Sequence, residues 1–432
     1  MAEKIRVILP KKYDLVVGDT FQLFFRGVIE APNPYVYSIV VLCEKGRPFP
    51  RYFEYTPEEP GEHKLTIRLY DAWRNLVGEG ETLLVAKAAK EPVKCTTMLC
   101  MGDSLTAGGE WLAEFNRRIT AEDGEPKGMG YKNAVKFVGS SCSRGVNHEA
   151  FGGWNWRSFM QANKPAMWVE CPNNRTEADQ HSIWQDENGA LWQLETLQID
   201  YLKFTRYLDH DATLPASGTL THVKNASDTS PIHFKSAVEA MVSPLLDPET
   251  KEVDFASYAK RNNTDALDVV YIILGFNGLM SKEAMTLSRP EYCQFIVNGT
   301  KTLVDVIRKA FPDVQIKLCG CVCHSVNGGM GKSYGAELPL TDGYEITYFM
   351  KELDLAYQAW CLEDDYKDFM QYINMAGQFD WEYNMPSGMR KVNIRSNIME
   401  RIDHNGVHPS MDGYMQMADA IYRNFICSFC SE

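Results

Sequence analysis

From Cys95 onward the chain alternates between two textures. Runs that are apolar at nearly every position (95-CTTMLCM-101, 135-VKFVGS-140, 268-DVVYIILG-275, 315-QIKLCGCV-322) take turns with stretches of helical periodicity near 110–122, 288–310, 346–360 and 411–425. A strand that is apolar throughout must be covered on both faces, and interleaved helices supply the crossovers that parallel strands need. The expectation is an α/β domain over residues 95–432 with a parallel sheet between helices. Residues 1–86 read differently. Short alternating runs (21-FQLFF-25, 36-VYSIVVL-42, 65-LTIRL-69) stand between turn clusters such as APNP at 31–34 and PEEPGEH at 57–63, which predicts a small all-β sandwich. KAAKEPVK at 87–94 is the expected linker. An insertion at about 154–260, rich in Trp, Asn, Asp and His, lacks clear periodicity and is read as irregular. It is too long for an ordinary loop, which marks it as functional or as a small subdomain.

Charge narrows the partners. The net charge is −13 over 432 residues, spread along the chain. Binding phosphates needs a basic surface, so neither nucleic acid nor an anionic membrane is an expected partner. No run of about 18 apolar residues exists to span a bilayer. The opening MAEKIRVILPKKYD lacks the apolar core of a secretory signal, which predicts a cytoplasmic protein, or a secreted one whose signal has been removed. CGCVCH at 319–324 has the look of a metal site. It follows QIKL on a period of two, however, which places Cys319, Cys321 and Cys323 on one face of a buried strand. Even with Cys427 and Cys430 nearby, C-x-C-x-C is not zinc-module spacing, so no metal and no other cofactor is expected. The N-x-S/T triplets at Asn174, Asn225, Asn262 and Asn298 read as chance matches.

Two places invite chemistry. Ser104 lies between an apolar run and Gly108–Gly109, at a strand-to-helix turn of the kind where parallel sheets place their sites. On that stretch alone, nucleophile and helix cap (Asp103 with Ser104) are evenly matched readings. His408 precedes Pro409, which disfavours helical geometry at the histidine and puts the imidazole on a loop leading into an amphipathic helix. Alone it reads as a surface residue; paired with a serine upstream it is a general base.

With GDSL at 102–105, HEAFGGW at 148–154, GFNG at 275–278 and NGVHP at 405–409, in that order, the chain resembles the SGNH, or GDSL-type, hydrolase family over roughly 95–430. The resemblance implies a three-layer, flavodoxin-like α/β/α fold. It also implies Ser104 as nucleophile, His408 as base, and an oxyanion hole made of the Ser104 and Gly153 N–H groups and the Asn277 amide. Two positions depart from the family pattern. Gly278 stands where the family has Asp, and Asn405 stands where it has the acid behind the histidine. Asn405 is the expected orienting group, with Asp403 the close second. The first 86 residues resemble immunoglobulin-like or fibronectin-like modules, which often precede carbohydrate-active enzymes.

The family spans esterases, lipases and deacetylases. Trp154, Trp156, Trp168, Trp184 and Trp192 stand among polar residues and offer faces for sugar rings, although packing within the insertion is the simpler reading for most of them. The expected activity is removal of short acyl groups, acetyl above all, from an acylated carbohydrate. The rivals are a lipid or small-ester hydrolase and a non-catalytic glycan-binding protein on the same scaffold.

Overall fold

The coordinates are a computed structural model that describes all residues except 1–3, 162–165, 173–174, 198–199, 209–211, 240–241, 280–286, 329–342 and 432; Asn174 therefore lies outside the described residues. The chain divides into two compact units, Met1–Arg157 with Ala259–Glu432, and Ser158–Tyr258.

The first unit contains five parallel strands: β1 (Thr96–Gly102), β2 (Val135–Val138), β3 (Val269–Ile273), β4 (Gln315–Cys319) and β5 (Met370–Ile373). They lie in the order 2-1-3-4-5. β3, with every residue buried, pairs with β1 from Val269↔Met98 to Ile273↔Gly102 and with β4 from Val269↔Gln315 to Ile272↔Leu318. The strand order reverses between β1 and β3, and a crevice opens at the carboxyl ends of strands flanking such a switch point. β2 pairs only with the first half of β1. Beside the second half, Val146–Ala150 takes over in parallel (Glu149↔Met101, Ala150↔Gly102) after an antiparallel hairpin with Ser141–Ser143. Chain therefore leaves the sheet at one edge in three places: after Gly102, after Ala150 and after Ile273. The expected strand through Cys321 and Cys323 is corrected. β4 stops at Cys319 and the other two cysteines lie in the following loop, although all three are buried and burial pushes their thiols well above the ordinary range.

Of the helices expected from periodicity, α2 (Glu110–Thr120), α4 (Arg289–Ala310), α5 (Gly343–Trp360) and α6 (Met411–Phe429) form. The short α1 (Ser104–Ala107) and α3 (Phe276–Leu279) were not anticipated. α4 begins at a capping box between Ser288 and Glu291, with Pro290 in the first turn where its missing N–H costs nothing. α2 packs on α6 and α4 on α5.

Residues 12–87 supply a four-stranded and a three-stranded sheet, and Leu15, Phe21, Phe53, Ile67 and Leu84 meet in one apolar core. The segment after them is not a free tether. Ala89 bridges to Ser431, and the Lys90 N–H donates to the Cys430 carbonyl at 2.8 Å. Between two of these strands, Asp19 is buried against two cations. Arg118 of α2 donates to its Oδ1 at 2.6 Å and Arg423 of α6 to its Oδ2 at 2.7 Å. Arg118 also reaches Asp419 at 2.5 Å and stacks over Tyr422 at 3.7 Å. Burial works against the charge on Asp19, but Arg423 and Arg118 outweigh it and hold the carboxyl below its ordinary value.

The second unit is more regular than its sequence suggested. Seven strands between Ala166 and Glu239 form one sheet with antiparallel pairings. Alternation is present (LWQLETL, YLKFTR), but Thr, Lys and Gln on the outer positions dilute it. Trp184 and Trp192 are fully buried in this unit's core with Leu194 and Phe204, so for these two tryptophans packing is the role.

Removing Asp19 leaves two buried guanidinium groups without their shared partner. Asp19→Ala is expected to lower unfolding free energy by about 3–5 kcal/mol in urea titrations. A loss below about 1 kcal/mol would mean that the clamp is not structural.

Candidate active site

The turn after β1 is built by Asp103. Its backbone is extended (φ −110°), its Oδ1 accepts the Leu105 N–H at 3.0 Å, and its carbonyl accepts from the N–H groups of Thr106 and Ala107. Asp103 is thus the cap of α1, and Ser104 is free for something else. Gly102 has to be glycine, because a Cβ there would stand 2.5 Å from Thr106 Oγ1 and 3.2 Å from the Ile273 carbonyl. Gly109, at φ +76°, then turns the chain into α2.

His408 arrives from the far end of the sequence. The Ser325 N–H donates to the Gly406 carbonyl at 2.9 Å, and the Ser410 N–H to the Asn384 carbonyl at 2.9 Å, which ties the loop down on both sides of the histidine. Its Nε2 lies 2.8 Å from Ser104 Oγ, the distance of a nucleophile–base hydrogen bond. The half-buried imidazole is pushed below its ordinary pKa by desolvation, and the negative charge of Glu110 opposes that shift.

Neither residue expected behind the histidine is bonded to its ring, and the reading is corrected on this point. Asn405 Oδ1 accepts the backbone N–H groups of Val407 and His408, each at 2.9 Å, so it folds the loop and leaves the imidazole to other groups. Asp403 is buried and accepts from Ser325 Oγ at 2.7 Å, while Arg401 stands 3.8 Å from its Oδ1, an oxygen with no hydrogen-bond donor among the described residues.

Gly153 and Asn277 meet at the same edge. The Trp154 N–H donates to the Phe151 carbonyl at 3.2 Å, closing a turn in which Gly153 has φ +76°. Among the described residues no atom lies within 4 Å of where its Cβ would stand, and the positive φ is what favours glycine here. Asn277 Nδ2 donates to Asp103 Oδ2 and to the Trp154 carbonyl, both at 3.0 Å. Because the Trp154 carbonyl can only accept, the amide faces both partners with its nitrogen. The expected use of this amide as an open oxyanion donor is therefore revised: its two hydrogens fasten the nucleophile turn to the Gly153 turn. Gly278 also has a local explanation. A Cβ there would press on Ile296 of α4 at 3.2 Å, which leaves no room for the aspartate of the family pattern without repacking.

Sequence reasoning passed over Glu110 and Arg144. Arg144, at the tip of the Ser141–Ala150 hairpin, donates through Nη2 to Glu110 Oε1 at 2.9 Å and through Nε to the Gly108 carbonyl at 3.2 Å. The available signal was a carboxylate six residues after the serine, in GDSLTAGGEW.

No protein-family model matches the chain, and no curated protein matches it in sequence. Among solved structures it is similar to a peptidoglycan O-acetylesterase at 12% identity and TM-score 0.33, covering 78% of this chain and 92% of that one. It is also similar to a carbohydrate acetylesterase from Sinorhizobium meliloti at 13% and 0.33, covering 77% and 100%. A third is a carbohydrate esterase family 2 enzyme with a carbohydrate-binding domain from Corynascus thermopiles, at 11% and 0.29, covering 99% and 98%. These likenesses are loose, and the case for function rests on the chain's own side chains.

Desolvation pushes the carboxyl of Asp103 up to about 7, against the Leu105 N–H, which favours the charged form. The folded chain therefore holds this proton after the unfolded chain has lost it. The contribution to stability is full below about 4 and is lost as pH rises to about 7. Asp103→Asn carries no such proton. Its stability relative to wild type is expected to improve steadily between pH 4 and pH 7 in urea titrations; curves that stay parallel would contradict this assignment.

Proposed function

We propose that the protein is a serine esterase that removes short acyl groups, acetyl above all, from carbohydrate. The observation that carries the proposal is the 2.8 Å pairing of Ser104 Oγ with His408 Nε2 at the switch-point edge of a parallel sheet. The two residues are 304 positions apart, so local turn chemistry does not bring them together. Ser104 Oγ attacks the ester carbonyl while its proton passes to His408 Nε2. The tetrahedral oxyanion is held by the N–H groups of Ser104 and Gly153, and Asn277 keeps those two turns in register. As the intermediate collapses, His408 returns the proton to the departing sugar oxygen. Water then repeats the sequence on the acyl-enzyme and frees the carboxylate. No cofactor enters these steps.

Support for a sugar substrate is local. Trp154 follows Gly153 directly, its ring stands 4.2 Å from that of Phe151, and its carbonyl is fixed by Asn277. A half-buried indole so placed suits one face of a pyranose ring.

Ser104→Ala is expected to lose at least about 1000-fold in kcat/KM on 4-nitrophenyl acetate, and a phosphonate probe should label the wild type at Ser104. Acetyl esters should be cleaved faster than octanoyl esters; the reverse order would favour the lipid-hydrolase reading. Glycan binding with neither labelling nor turnover would favour a binding protein. Because burial lowers the proton affinity of His408, the acidic limb of the kcat/KM profile is expected below the ordinary histidine value of about 6.5.

A further inference from the structure

We infer that Ser143 and Arg144, at the tip of the Ser141–Ala150 hairpin, are positioning residues for the proposed reaction. They hold the far end of the short helix that begins at Ser104, and so keep the Ser104 N–H in register with the N–H of Gly153; the role presupposes the esterase reading above.

α1 has four residues, Ser104–Ala107, too few to be held by its own backbone bonds. Both ends of the nucleophile turn are secured by the same hairpin. At the tip, Ser143 Oγ donates to the Ala107 carbonyl at 2.7 Å and Arg144 Nε to the Gly108 carbonyl at 3.2 Å. These carbonyls lie at the end of a helix, where the chain offers few donors of its own. Arg144 Nη2 also donates to Glu110 Oε1 at 2.9 Å, so one guanidinium spans the junction of α1 and α2. The fit is close: a Cβ on Gly109 would stand 2.7 Å from Ser143 Cβ. Fully buried Glu149 stiffens the base of the hairpin by accepting from the Ser140 N–H and Oγ at 2.9 and 2.8 Å. Beyond it, the strand Val146–Ala150 lies beside β1, and the Phe151 N–H donates to the Gly102 carbonyl at 3.2 Å. Two residues further comes the turn of Gly153, whose neighbour Trp154 is tied to Asp103 by Asn277. Ser104 is thus bracketed, before and after, by the segment that carries the second proposed oxyanion donor.

The tip carries a local cost. Ser143 pairs with Val146, which leaves Arg144 and Gly145 as a two-residue loop at φ +51° and +79°. Positive φ at both central residues is what a type I′ turn requires, and its first position favours Asn, Asp or Gly. Arginine is unfavourable there. Such a conformation persists only where the surroundings over-determine it. Turn chemistry alone would select asparagine; the grip on Gly108 and Glu110 accounts for the arginine. Ser143 and Arg144 act through the backbone of α1, on a donor that matters once the oxyanion forms. A donor already in place needs no rearrangement at that moment, and a small displacement of it is felt in the rate.

The test measures kcat and KM for 4-nitrophenyl acetate together with the melting temperature and the extent of phosphonate labelling. Arg144→Asn replaces a strained arginine by a residue that the turn favours. Its melting temperature is expected to hold or rise while kcat falls roughly tenfold. KM should stay within about twofold, because the displaced donor acts on the transition state. Ser143→Ala combined with Arg144→Asn should lower kcat roughly 100-fold, comparable to losing one oxyanion donor, with labelling slower but still complete. Cys142→Ser, at an exposed position of the same hairpin, should leave kcat in place. A kcat within about twofold of wild type in the double variant overturns the inference. So does a fall in kcat that tracks a fall in melting temperature, or one matched by Cys142→Ser. Absence of turnover and labelling in the wild type would instead remove the esterase reading beneath it.

Discussion

The carboxylate of Asp19 is held between two guanidinium groups on two helices, Arg118 of α2 and Arg423 of α6. α2 is the helix that follows the Ser104 turn, and α6 the one that follows the His408 loop. The serine and histidine can stay in register only if these two helices do. Arg423 lies twelve residues into α6, roughly 18 Å along its axis at ~1.5 Å per residue, so the contact acts through a stiff rod and never approaches the chemistry. A buried ion pair adds little net stability over an apolar equivalent, but it tolerates only one arrangement of its partners. Residues that precede the sheet thus hold the helices behind the site, and other contacts repeat the pattern: Arg51 with Asp380 at 2.7 Å, and Asn424 Nδ2 with Asp14 at 2.8 Å.

Much of the framework was readable beforehand because it is written in short-range patterns. β3, VVYII, is apolar at every position because both its faces are covered, and such a run admits few other readings. The long helices were marked by period and by signals at their ends: Ser288, Pro290 and Glu291 at the start of α4, Ser410 before α6. Ser104 and His408 were readable for a different reason. Each sits at an element boundary whose neighbours, Gly108 and Gly109 in one case and Pro409 in the other, are needed to make the turn.

What escaped the sequence were choices between partners of equal chemical type. Asn405 carries an oxygen that can serve an imidazole or the backbone two and three residues on; the nearer N–H groups of Val407 and His408 took it, as short polar side chains in loops commonly do. Asp403 looked equally suited, but a strand pairing Asp403 with Ser387 fixes where its side chain emerges, and it emerges toward Ser325. Asn277 was legible as a residue of the site but not in its bonding, since its two acceptors come from Asp103 and Trp154, each more than a hundred residues away. The strands of the second unit were hidden because polar outer faces and frequent turns break their alternation.

The division of donors at this edge follows from one electrostatic conflict. Asp103 builds the turn beneath Ser104, yet a carboxylate there opposes the oxyanion that the proposed reaction forms just above it. Two things reduce the conflict: burial favours the neutral acid, and Asn277 gives one N–H to Oδ2. The second N–H of Asn277 goes to the Trp154 carbonyl and fixes the turn containing Gly153. That leaves backbone N–H groups as donors to substrate. The conformations that present them, the capped start of α1 and the left-handed Gly153, are set by the fold and need no rearrangement as charge develops. Negative charge is then useful only on the other side of the serine, near the imidazole that turns positive.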